Sequence, residues 1–135
     1  MTLKEVVLSI FVLLNSKSGL NTLHIIAFTH RNLSVNEIGC LHIEAENQKE
    51  RLARVRLDLN LDELMYLTTC NRIEFAFVTQ QKLDAKFIQT LLQELYPSID
   101  STQCDRFVEN ADIFNGMDAV RHQLSVASSV ESMIV

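Results

Sequence analysis

Apolar positions change their period several times along the chain, and each change marks an element. Thr22 to Thr29 (TLHIIAFT) has an apolar centre of β-favouring types and predicts a first strand. Asn32 and Ser34 then offer helix-capping side chains, and Val35, Ile38, Leu41 and Ile43 fall near helical spacing. Glu46 to Arg56 is charged, with Leu52 and Val55 on one side, the pattern of an exposed amphipathic helix. Asp58 to Asp62 reads as a turn with little glycine support. Glu63 to Thr69 (ELMYLTT) predicts a second strand. Ile73 to Thr79 (IEFAFVT) is apolar at 73, 75 and 77, a near-alternation that predicts a third strand with one face buried. Only Cys70-Asn71-Arg72 joins these two strands. A link so short implies a hairpin or tight bend, with Asn71 suited to positive φ.

Leu83 to Tyr96 carries Leu83, Phe87, Leu91, Leu92 and Leu95 at helical spacing, and Pro97 stops it. Arg106 to Glu109 reads as a short strand. From Gly116 a last helix places Met117, Val120, Leu124 and Ala127 on one face. The order is strand, helices, strand, strand, helix, strand, helix. It fits an α+β sandwich of ferredoxin-like type, an antiparallel sheet with helices on one face. Residues 22–135 read as one domain. Residues 1–21 read as an N-terminal extension, because the polar, glycine-containing Ser16 to Asn21 breaks the pattern. The apolar run Val6 to Leu14 is too short to span a bilayer and lacks a small-residue cleavage site. The chain closes inside the apolar Ser132-Met133-Ile134-Val135 with no cap, so a cut within a longer protein is expected.

Hydrophobic residues make up 47% of the 135, enough for a core. The net charge of -5 argues against broad, non-specific RNA binding, which needs cationic side chains on phosphates. Local contact with one RNA end stays open. The cysteines, Cys40, Cys70 and Cys104, are odd in number and form no CxxC pair. A disulfide framework or structural zinc site is therefore not expected, and reduced thiols in a cytoplasmic protein are. No two histidines have metal-ligand spacing, and there is no glycine-rich phosphate loop.

Candidate chemistry gathers at the strand link. Cys70 sits in a bend that presents backbone N–H groups suited to a thiolate or an oxyanion. Arg72 adds a planar fork that matches a carboxylate, and Thr69 and Asn71 add neutral hydrogen-bonding groups. A lone cysteine is more often a small buried hydrophobe, and that reading stands for Cys40 and Cys104. His122 on the last helix has the chemistry of a general acid or base near neutral pH, and equally that of a surface or capping histidine. His30 follows the first strand at the same sheet end. Ser125, Ser128, Ser129 and Ser132 line the last helix as a polar binding surface or a close helix contact.

Thr68-Thr69-Cys70-Asn71-Arg72-Ile73-Glu74 resembles the S/T-T-C-N-R-x-E block of glutamyl-tRNA reductases. Asp118-Ala119-Val120-Arg121-His122, followed by Val126-Ala127-Ser128-Ser129-Val130-Glu131-Ser132-Met133, is similar to that family's A-V-x-H-L and V-A-S-G-L-D-S-M/L blocks. Leu23 to Val35 resembles the family's start. It departs by carrying Thr29-His30-Arg31-Asn32-Leu33-Ser34 where Asn-His-Lys-Thr-Ala-Pro is usual. Ser129 stands for the usual glycine and Glu131 for the usual aspartate. The resemblance covers residues 22–135 and implies a fragment of the N-terminal catalytic domain.

It further implies an oxidoreductase of porphyrin (tetrapyrrole) biosynthesis that converts glutamyl-tRNA(Glu) to glutamate-1-semialdehyde. The cofactor would be NADPH, bound by a domain beyond this chain, so the fragment alone would not complete the reduction. Carried over by the resemblance, Cys70 is the nucleophile that forms a thioester. Arg72 and Thr69 bind the substrate, His122 stands near the reacting ester, and Ser132 is a further substrate contact. Glutamyl-tRNA(Glu), a second copy in a homodimer and the downstream aminomutase are the implied partners, in the cytoplasm and with no membrane. The competing reading is a non-catalytic ferredoxin-like module that recognises the charged tRNA end.

Overall fold

The computed structural model describes residues 19–69 and 71–132, with the backbone alone at 69 and 127–132. Four strands, β1 (Leu23–Thr29), β2 (Glu63–Thr69), β3 (Arg72–Val78) and β4 (Asp112–Asn115), form one antiparallel sheet in the order β2-β3-β1-β4. Five α-helices are described: α1 (Val35–Gly39), α2 (Ala45–Asp58), α3 (Ala85–Leu95), α4 (Ser101–Glu109) and α5 (Met117–Ser132). Helices separate β1 from β2 and β3 from β4, with β2 and β3 joined as a hairpin. That is the ferredoxin-like α+β topology expected, with α5 added after it. The extension read over 1–21 lies outside the described residues up to 18.

Period-2 alternation sorts the strand residues onto two faces. Ile26, Phe28, Ile73, Phe75, Phe77, Leu64 and Tyr66 point to one face. There they join Ile38, Val55, Ile88, Leu91, Leu92, Leu95, Cys104 and Phe107 from α1–α4 in the main core. Leu23, Ile25, Ala76 and Val78 point to the other, where Ala119 and Val120 of α5 pack on them. Helices α1–α4 cover one face as expected, and the start of α5 covers the opposite one.

That second layer changes β3. The alternation predicts a strand buried on one face, yet Ile73 to Val78 are all buried. Among the α5 residues whose side chains are described, the buried positions are Ala119, Val120 and Gln123, whereas Met117 and Leu124 are 48% and 47% exposed. The expected stripe through Met117, Val120 and Leu124 is therefore rotated. The strand expected at Arg106 to Glu109 is the end of α4, and β4 follows it. Asp100 caps α4 by accepting from Gln103 N (2.7 Å), and Cys104 and Phe107 bury at helical spacing.

Local chemistry sets the other boundaries. Ser34 and Glu37 form a reciprocal capping box at α1. Asn60 follows α2 with φ 55, a left-handed conformation that ends a helix, so asparagine does the work of glycine here. The loop after α1 is held by two tyrosines. Tyr66 Oη accepts from Ile43 N at 3.1 Å, and Tyr96 Oη donates to Leu41 O at 2.6 Å.

Candidate active site

Thr69 and Arg72 pair directly across β2 and β3, which makes these strands a hairpin with Asn71 at its tip. The hairpin expected between these strands is thus present, with a turn at Asn71. Cys70 itself, the expected nucleophile, lies outside the described residues, as does the side chain of Thr69. His30 of β1's exit is tied to this tip, its N–H donating to Asn71 O at 3.3 Å.

Arg72 and Glu74 share the sheet face that α5 covers, because they are two apart on β3. His122 reaches that face from the second turn of α5. Its Nε2 is hydrogen-bonded to Oε1 of Glu74. The same oxygen lies 3.9 Å from Nε of Arg72. The side chains are 28%, 1% and 11% exposed at Arg72, Glu74 and His122, so a buried carboxylate sits beneath two groups that open toward the surface. Phe114 of β4 stacks on the imidazole, ring centroids 3.9 Å apart and planes within 12°. His122 is therefore neither a surface nor a capping histidine.

Two expected site residues, Arg72 and His122, are brought together through Glu74, which composition and spacing did not single out. The available signal was its i+2 relation to Arg72; what concealed it was the covering of that face by α5. Ser132 is the last residue of α5, its side chain outside those described. Cys104 is buried among apolar groups, and burial pushes its thiol above the ordinary range, which disfavours the thiolate. Cys40 is exposed. Among the described residues no cluster of His, Cys, Asp and Glu could hold a metal ion. No described helix is long and apolar enough to cross a membrane.

On the other side of the same hairpin, Thr68, Asn71 and Ile73 line a groove of about 210 Å³ with Val35, Ile38, Gly39 and His42. The hairpin tip thus divides a charged, hydrogen-bonded face from a largely apolar one.

The profile of a family described as glutamyl-tRNAGlu reductase, N-terminal domain, matches residues 26–135. The chain belongs to this family. A glutamyl-tRNA reductase of Syntrophobacter fumaroxidans is 46% identical over 77 residues, 56% of this chain and 16% of that protein. One from Campylobacter jejuni is 37% identical over 112 residues, 82% of this chain and 24% of that protein. The solved structure of glutamyl-tRNA reductase from Methanopyrus kandleri matches with a TM-score of 0.57 at 23% identity, covering 85% of this chain and 24% of that one. This last likeness concerns the fold. The chain spans a quarter or less of the length of these reductases.

Proposed function

We propose that this chain is the glutamyl-binding, catalytic part of an NADPH-dependent glutamyl-tRNA reductase acting in tetrapyrrole biosynthesis. The observation that carries the reading is the Arg72–Glu74–His122 cluster beside the Cys70 hairpin, in a chain of this family.

In this reading Arg72 takes the free side-chain carboxylate of the glutamyl group in its guanidinium fork. His122 takes the proton of the Cys70 thiol, and the resulting thiolate attacks the ester carbonyl carbon. The carbon–oxygen bond to the tRNA breaks, His122 gives a proton to the departing alkoxide, and a glutamyl thioester stays on Cys70. NADPH would supply the hydride that reduces such a thioester to the aldehyde. The residues here do not fit a dinucleotide: the glycines, Gly19, Gly39 and Gly116, stand in no phosphate-cradling spacing. No reducing step is therefore assigned to this chain.

The test is mass spectrometry of the chain after incubation with glutamyl-tRNA(Glu). A glutamyl adduct on Cys70, absent from Cys70→Ser, is expected. No adduct, under conditions in which a full-length relative forms one, overturns the proposal. Retained tRNA binding without an adduct would instead favour a recognition module.

A further inference from the structure

We infer that Glu74 is a positioning residue that sets the working geometry of both Arg72 and His122, an inference that rests on the catalytic reading above. At 1% exposure Glu74 reaches no substrate itself. A carboxylate so buried is costly unless it is paired and hydrogen-bonded. Its Oε1 serves both partners, the imidazole Nε2 and the guanidinium Nε. Directly beside it in the sheet lie Leu67 of β2 and Ala27 of β1, neither with a polar side chain to compete.

Two consequences follow for the reacting groups. With Nε2–H donated to Glu74, the nitrogen of His122 left for proton transfer is Nδ1. The stacked Phe114 ring holds the imidazole in the plane from which Nε2 meets Glu74. With Nε of Arg72 turned to Glu74, the two terminal nitrogens remain to grip a carboxylate. One buried oxygen thereby aligns the group that binds the glutamyl carboxylate with the group that handles the leaving-group proton.

The decisive measurement is the ¹⁵N spectrum of His122 in the full chain. Nε2 protonated is expected; Nε2 unprotonated overturns the inference, whatever the variants do. Glu74→Met, which removes the acceptor, should mix the His122 tautomers and slow acylation of Cys70 by glutamyl-tRNA at least about tenfold. Glu74→Gln, which keeps an acceptor oxygen, should restore the tautomer and recover part of that rate. A folded Glu74→Met with the wild-type rate overturns the inference. Should Glu74→Met not fold, the wild-type tautomer and the Glu74→Gln rate still decide it, a Glu74→Gln rate no better than that of His122→Ala counting against. Failure of the wild-type chain to form an adduct would strike the catalytic reading instead, and the tautomer would still report on the positioning.

Discussion

Gln123, next to His122 on α5, is 3% exposed, and its Oε1 is buried without a hydrogen-bond partner among the described residues. A buried acceptor left unmet costs about 1–3 kcal/mol. Gln123→Met keeps the length and removes the polar atom, so urea titration should show a gain of about 1 kcal/mol in unfolding free energy. A loss would mean that the amide has a structural partner. Glu37 behaves in the opposite way. Arg106, with Nε 2.6 Å from its Oε2, and the Ser34 N–H hold its carboxyl at about 2, below the ordinary 4.5. Its folded-state pKa is depressed, so its contribution is whole above about 4.5 and is lost as pH falls toward about 2. Between those values the urea midpoint should fall more steeply in the wild type than in Glu37→Gln. At this scale Arg72 and His122 were readable as candidates because their chemistry is distinctive. Glu74 and Gln123 were not, because a polar residue in an alternating strand or helix reads as solvent-facing until the covering element is known.

The elements show which sequence signals carry boundaries. β2 was readable to the residue, since turn-forming neighbours bracket a run of β-favouring types. The short strand expected at Arg106 to Glu109 failed because Phe107-Val108 looks β-favouring alone, whereas the Asp100 cap six residues upstream commits the segment to helix. Asn60 is a similar case, a helix terminator without glycine. Loop placement depends on long-range partners that no local pattern reports. Tyr96 of the α3 terminus holds the Leu41 carbonyl, 55 positions away in sequence. Its burial pushes the phenol far above its usual range, so it remains a donor at any working pH. Tyr96→Phe should cost about 1–3 kcal/mol in denaturant unfolding, by leaving that carbonyl buried and unmet. An unchanged midpoint would show that this hydrogen bond does not hold the loop.

Across the whole molecule the two sheet faces differ in depth. The α1–α4 face buries most of the large side chains, including Phe28, Phe75, Phe77 and Phe107. The α5 face packs on Leu23, Ile25, Ala76 and Val78 through Ala119 and Val120. The α+β class was readable from element order, but the two-sided covering was not, because nothing in the pattern of α5 says which face of the sheet it takes. The thinner layer is also the one that delivers His122. Opening α5 exposes little apolar surface, so its free energy should lie below that of global unfolding. Amide exchange should be faster over Ala119 to Leu124 than in β1 and β3, with equal protection refuting the difference. On warming, Cys70 acylation should then fail at a lower temperature than the loss of sheet signal in circular dichroism. The imidazole would leave Glu74 while the scaffold stayed folded, so the chemistry would have its own melting point.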